Sequence, residues 1–205
     1  MSKESPQRFS LLSKKGIAVA CLTLFVAELL LVIVSWLLSA TRLEGVRSLI
    51  SSEGIRWFVG EFTYMLASPL LVWLLLALVA LGCLQQCGVF QKSTIPYRER
   101  IAYRVAFAFL IIYIGVVALL TLMPHAILLS ATGSLFPSAF SRALVPIVCF
   151  GVCVFSVSFG MVSGRLHTLT EILDALSFGI QQGAPLIMLY IMMMQFYASL
   201  IFVFG

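Results

Sequence analysis

The stretch LFVAELLLVIV sets Glu28 in the middle of an apolar run. Insertion scales place a charged carboxylate at the bilayer centre at about 2.5–3.5 kcal/mol, so a glutamic acid there is expected to keep its proton over much of the physiological range. A carboxyl group that loads and releases a proton as its surroundings change is what a proton-coupled carrier requires. No Lys or Arg lies deep in any other apolar run, so the partners expected for Glu28 are neutral, with Gln195, Tyr113, Ser156 and Ser158 as candidates. The plainer alternative is a protonated Glu28 acting as a helix–helix hydrogen bond, worth about 1 kcal/mol or less.

Other chemistry is thin. Cys21, Cys83, Cys87, Cys149 and Cys153 lie in or beside apolar runs. Cys83/Cys87 and Cys149/Cys153 are each four apart and share a helical face. Neither pair has a His or carboxylate at ligand spacing, so they read as small buried hydrophobes, with no metal, no disulfide framework and no cofactor expected. His125 and His167 read as hydrogen-bonded helix-end residues. The sequence contains no HExxH, no GxSxG, no phosphate-cradling glycine loop and no paired intramembrane aspartates, so no catalytic residue is assigned and an enzyme is not expected.

The elements that would carry Glu28 follow from composition. Of 205 residues, 61% are hydrophobic and 10% charged, with a mean hydropathy of +1.10. Soluble domains run at about 45–50% apolar and about 25% charged. The surplus, including sixteen Phe and eight Met, cannot be hidden in a core of this size, so lipid is the expected solvent and partner. The net charge of +5 is spread in short patches beside the apolar runs, not on a basic face interleaved with aromatics, and excludes nucleic acid as a partner.

Crossing a bilayer takes about 20 apolar residues. Five windows qualify, Ile17–Leu38, Leu66–Leu84, Val105–Leu128, Ala143–Val162 and Ala184–Phe204, predicting a single all-α transmembrane domain over residues 1–205. The first window is longer than the roughly 7–15 apolar residues of a signal peptide, and the AVAC box stands too close to Lys14 and Lys15 to serve as a cleavage site, so the helix is expected to stay uncleaved. Lys3, Arg8, Lys14, Lys15, Lys92, Arg98, Arg100, Arg104 and Arg165 fall on one side, against Arg42, Arg47, Arg56 and Arg142 on the other. This asymmetry predicts a cytoplasmic N-terminus.

Two amphipathic pieces flank these runs. Over residues 52–64, Ile55, Phe58 and Phe62 share one face while Glu53, Arg56, Gly60 and Glu61 share the other, with Trp57 beside them. Ser51 is a natural cap, and Glu53 suits the positive end of the helix dipole. The piece is expected to lie in the lipid–water interface and turn into span two near Pro69. Over residues 169–180, Thr168 and Glu171 form a capping box and Leu169, Ile172, Leu173, Leu176 and Ile180 repeat at helical spacing; Gly179 and Gly183 are expected to end that helix before Pro185. Pro69, Pro124, Pro146 and Pro185 are read as marking span ends. Ser156, Gly160 and Gly164, four apart, make a close-packing helix face, used within the protomer or across a dimer. The five spans show no internal repeat.

The segment SLISSEGIRWFVGEF (Ser48–Phe62), leading from a first span into a second, resembles the start of the p-aminobenzoyl-glutamate transporter family. The close of span two, ALVALGCLQQCGVF, is similar to the same family, as are FPSAFSRALVPIVCFGVCVFSVSFGMVSGRL (Phe136–Leu166) and the Gln195–Phe196 pair in IMMMQFYASL. The order Pro137–Ser138 departs from the family's Ser-Pro turn. The resemblance implies an ion-gradient-coupled secondary transporter of the bacterial inner membrane, dimeric, carrying p-aminobenzoyl-glutamate or related folate-pathway anions. Family members are longer and build their substrate and ion site from two re-entrant hairpins; here span two leads through QQCGVFQKSTIPYRERIAYR straight into span three. The hairpins have no counterpart, so no family binding residue is carried over, and the chain reads as a short or truncated member. The alternative expectation is a non-transporting relic or accessory subunit acting through helix packing.

Overall fold

In a computed structural model, the backbone is described for residues 5–41, 45–89, 96–122 and 139–205, with side chains from 14 in the first segment, from 97 to 121 in the third and from 143 in the last. The protein is all-helical there. Its order is α1 (Ser5–Ala40), α2 (Ser52–Leu66), α3 (Pro69–Gln86), α4 (Pro96–Leu122), α5 (Ala139–Ser163) and α6 (Leu169–Phe204). Five of these, all but α2, are long and apolar enough to cross a membrane. Their surfaces agree with that reading. On α1, Leu22 is 63% exposed and Ile33 57%, and large apolar side chains point outward almost all round. A helix hydrophobic on every side has to sit in lipid or in a large core. This is an integral membrane protein whose helices are solvated by the bilayer. The end of the third predicted span, with Pro124 and His125, lies outside the described residues.

The chain divides into two compact units, Met1–Val72 with Ala184–Gly205, and Trp73–Gly183.

In the second unit, α4 packs on α5. Ala102 and Ala106 are fully buried, and their small side chains admit Phe159, also fully buried. Tyr103 tilts against Phe159 with ring centroids 4.7 Å apart, and Phe107 meets Phe155 edge-on at 5.2 Å. Tyr113 Oη donates to the Ile147 carbonyl at 2.8 Å. That acceptor lies one residue after Pro146, which is inside α5 and three residues from the start of its apolar span at Ala143, near the span end as expected.

The helix expected to end at Gly179 and Gly183 does not end. α6 runs unbroken through both glycines and through Pro185. The glycines serve another purpose. A β-carbon on Gly179 would fall on the Leu78 carbonyl oxygen, one on Gly183 on the Leu78 side chain, and one on Gly82 on the backbone of Gly179. The missing side chains let α3 and α6 touch backbone to backbone, the small-residue device of membrane helices. Ending a helix at bilayer depth would also strand backbone hydrogen-bonding groups in hydrocarbon. The helix does start as expected: Thr168 Oγ1 accepts from the Glu171 amide at 3.3 Å, and Glu171 accepts from the His167 and Thr168 amides.

At the junction of α3 and α5, Arg165 donates to the Cys87 carbonyl at 3.0 Å and to the Gly88 carbonyl, pairs with Glu99 at 3.4 Å, and stands 5.9 Å over the Phe159 ring. The last turn of α3 is closed by the Cys87, Gly88 and Val89 amides, and one guanidinium satisfies the two carbonyls just beyond it. Gly164 belongs to the helix terminus: its φ of +75° ends α5 in the left-handed region. Gly160 is the packing position, its missing side chain occupied by Leu166 and by Cys87 Sγ. Ser156 is buried and donates to its own helix at Val152. Of the predicted face, Ser156 and Gly160 pack inside this unit and Gly164 is a cap.

In the first unit, the buried stripe of α6 is Gln195, Ser199, Phe202 and Val203, and the stripe of α1 turned inward is Glu28, Leu31 and Ser35. The loop ahead of α2 is tied in by Arg47 N–H to the Val203 carbonyl at 3.1 Å and by Leu49 N–H to Ser35 Oγ at 3.2 Å. Ser51 caps α2 by accepting from the Gly54 amide at 3.0 Å. Gly54 sits so close to the carbonyls of Ser48 and Leu49 that any β-carbon there would collide with backbone.

The course of α2 is set by its contacts with α6. Trp57 stacks on Phe202 with centroids 4.3 Å apart. Further along, Glu61 and Met65 share a groove with Tyr197, Ala198 and Met194. At its end the Leu66 carbonyl accepts from Tyr190 Oη at 3.4 Å. As α2 advances, its partners on α6 recede, so the two helices run antiparallel side by side. Thirteen residues of α6 separate Val203 from Tyr190, a rise of about 20 Å, so α2 descends well into the depth that α6 spans. Its apolar face, Ile55, Phe58 and Phe62, is exposed and meets lipid. The stacking of Trp57 on Phe202 and the close backbone approach at Gly54 fix this helix to its own chain.

Candidate functional site

Glu28 meets α6 at Ser199. Ser199 Oγ donates to Glu28 Oε1 at 2.6 Å, and Gln195 Nε2 donates to Ser199 Oγ at 3.5 Å. Ser199 is fully buried and Gln195 is 8% exposed. The spacing explains the meeting: Gln195 and Ser199 are one turn apart on the buried stripe of α6, and Glu28 is one turn before Leu31 on that of α1. Of the partners expected for Glu28, Gln195 is here. Tyr113 and Ser156 are engaged at Ile147 and Val152, as given above, and Ser158 is not among the groups bonded to Glu28. Ser199 was not anticipated. The signal was present in the polar pair Gln195/Ser199, four apart in an otherwise apolar run.

Hydrogen counting fixes the direction of the chain. A hydroxyl has one hydrogen. The Ser199 hydrogen goes to Glu28, so Ser199 can only accept from Gln195, which turns the amide nitrogen toward it. Two oxygens are then left over: Glu28 Oε2 and Gln195 Oε1 are buried with no hydrogen-bond partner. An unsatisfied buried acceptor costs about 1–3 kcal/mol. The cluster has acceptors to spare and too few hydrogens, and among the described residues the ion pair is Arg165 with Glu99, which brings no cation to Glu28.

The polypeptide is interrupted close by. Between α2 and α3, Ala67 leaves helical geometry with φ −74° and ψ +58°, and Ser68 N–H bonds back to Leu66 at 2.8 Å. Tyr190 on α6 holds this break, its hydroxyl 2.6 Å from Ser68 Oγ. Non-helical backbone at membrane depth persists only where protein or a cavity satisfies it, and broken helices of this kind border the binding sites of many carriers.

The other predicted positions are distributed as follows. Glu53 lies in the first turn of α2 and, with Arg56, is exposed; Trp57 is partly buried against Phe202; Glu61 lines the groove between α2 and α6. Cys83 and Cys87 lie fully buried with their sulfurs 3.9 Å apart, in the apolar core of the second unit. A cavity of about 400 Å³ in that unit, walled by Phe107, Leu110, Ile114, Val148 and Phe155, offers contact to hydrocarbon.

These features define an all-α integral membrane protein with a carboxyl–hydroxyl–amide cluster inside its helix packing and a non-helical step between α2 and α3 held by the same helix, α6. Comparison with protein-family models, curated proteins and solved structures finds no match in any of the three.

Proposed function

We propose that the protein is an ion-coupled secondary carrier in which Glu28 carries the coupling proton. The observation that supports this is the Glu28–Ser199–Gln195 cluster with its two unpartnered acceptors. With Glu28 ionised, hydrogens run from Gln195 through Ser199 to the carboxylate. With a proton on Oε1, Glu28 becomes the donor, Ser199 passes its own hydrogen on to Gln195, and the amide turns over to accept it. Loading the proton reverses both hydrogen bonds of the chain and relieves the unpartnered Gln195 oxygen. A proton binding in this way gives the packing of α1 on α6 two arrangements, which is what coupling to a second solute requires.

For the substrate, the sequence resemblance to p-aminobenzoyl-glutamate transporters favours a small folate-pathway anion, in the bacterial inner membrane with the N-terminus cytoplasmic. The break at Ala67–Ser68 is compatible with a site beside it. The test is uptake or efflux of p-aminobenzoyl-glutamate by proteoliposomes under an imposed pH gradient. Glu28→Gln, which keeps the shape and removes the titration, is expected to abolish the gradient-driven component while leaving expression and folding intact. Full activity in that variant removes Glu28 from the mechanism. The rival reading, an accessory subunit docking through Ser156 and Gly160, has less to recommend it because Gly160 already receives Leu166 and Cys87 of its own chain.

A further inference from the structure

A groove of about 370 Å³ runs between α2 and α6, walled by Trp57, Glu61 and Met65 on one side and Met194, Tyr197 and Ile201 on the other, with Ala198 as its floor. Its make-up is uneven along its length. At one end an indole, a phenol and a carboxylate come together; at the other there are two methionines. Glu61 is exposed and, among the described residues, takes part in no ion pair. Tyr197 is 58% exposed and turns part of its ring outward. Trp57 is held in place by its stack on Phe202, whose ring also lies 5.9 Å from the Arg47 guanidinium.

A carboxylate beside the rings of Trp and Tyr selects ammonium groups, because the ring faces and the anion all favour a positive charge. Depth narrows the choice. Glu61 lies five residues, about 8 Å, along α2 from the exposed charge of Arg56 near its start. That is the headgroup–acyl boundary of a bilayer, where amphipathic elements bury about 5–10 Å. From there the groove continues inward past Met65 and Met194, soft unbranched side chains that accommodate a flexible chain. We propose that this groove binds an aminophospholipid, with the ethanolamine ammonium on Glu61 between Trp57 and Tyr197 and an acyl chain lying along Met65 and Met194. The site is separate from the Glu28 cluster and does not depend on the carrier reading.

The experiment uses the full chain with Trp57 as its sole tryptophan (Trp36→Phe, Trp73→Phe), reconstituted in phosphatidylglycerol vesicles. About one lipid in five is replaced either by phosphatidylethanolamine brominated high on its acyl chains or by equally brominated phosphatidylglycerol. An exposed ammonium–carboxylate–aromatic contact predicts about fivefold enrichment of phosphatidylethanolamine at the groove, read as excess quenching of Trp57 by that lipid. Glu61→Gln is expected to remove the excess and Glu61→Asp to keep part of it. On the unaltered glutamate, N-acylated phosphatidylethanolamine, which has no ammonium charge, is expected to quench no more than phosphatidylglycerol. Equal quenching by the two brominated lipids, or an excess that survives Glu61→Gln and N-acylation, overturns the assignment. So does a Trp57 emission that ignores lipid identity and responds to soluble tetramethylammonium, which assigns the groove to a free organic cation. Protection from both lipids that disappears on dilution of the protein in the bilayer assigns it to a second copy and also overturns the proposal.

Discussion

Gly179→Ala tests the close approach of α3 and α6. The added methyl would land on the Leu78 carbonyl oxygen, with the backbone of Gly82 beside it. Neither neighbour is a flexible side-chain tip, so the clash cannot be relieved by a rotamer change. Restoring ordinary contact distances requires the helices to part by on the order of 1.5 Å, and a gap of even 0.5–1 Å forfeits a quarter to a half of each dispersion contact across it. The contacts at stake include Leu78, Ala80, Cys83 and Ala175, all buried. Overpacking of this kind costs about 1–3 kcal/mol, and the backbone placement of this clash puts it at the upper end. Gly60→Ala is the matched control. Gly60 also lies inside a helix, but nothing stands within 4 Å of its would-be β-carbon, so relief of the glycine penalty should stabilise by about 1 kcal/mol. Reversible unfolding in mixed micelles, followed by helical circular dichroism, reads both. A neutral or stabilising Gly179→Ala would refute the backbone contact and with it the stated reason that α6 continues through its glycines.

Two further substitutions probe the polar contacts. Ser199→Ala removes the hydrogen that Ser199 gives to Glu28; if Glu28 is protonated at rest, the loss should average about 0.6 kcal/mol and stay below about 2, whereas hydrogen bonds to an ionised partner are worth about 1.5–3 kcal/mol, so a loss near 3 kcal/mol in the same unfolding assay would mean that the resting carboxyl is charged. Arg165→Met keeps the aliphatic stem but leaves the Cys87 and Gly88 carbonyls and Glu99 without the guanidinium; a loss of about 1–3 kcal/mol is expected. Arg165→Lys should recover only part of it, because one ammonium nitrogen can replace Nη1 at the two carbonyls but not also Nη2 at Glu99. A full recovery by lysine would show that the second nitrogen contributes nothing.

What could be read from the chain and what could not divides along sequence distance. The apolar runs, the Ser51 cap and the Thr168/Glu171 box are local, set within four or five residues, and they stand where expected. Glu28 was legible because a carboxylate in hydrocarbon is costly wherever the helix packs. Ser199 was not, since its role depends on α1 meeting α6 across 171 positions of sequence. Gly179 and Gly183 were misjudged for a physical reason. Glycine weakens an isolated helix in water, but at a crossing point in lipid its lack of a side chain decides the packing, and the bilayer forbids the frayed end that a break would create. The amphipathic pattern of α2 told which face meets lipid and left its axis undetermined.

The near-bareness of α1 has a consequence for how this protein can drift over generations. Among the described residues, a narrow strip of side chains at positions 28, 31, 32 and 35 answers to fixed neighbours; the outward positions, such as Leu22, Phe25, Leu29 and Ile33, answer to fluid acyl chains that reshape around any greasy substituent. Inherited variation along this helix should therefore follow a rhythm, free exchange among Leu, Ile, Val and Phe on the outside, and near silence every third or fourth letter.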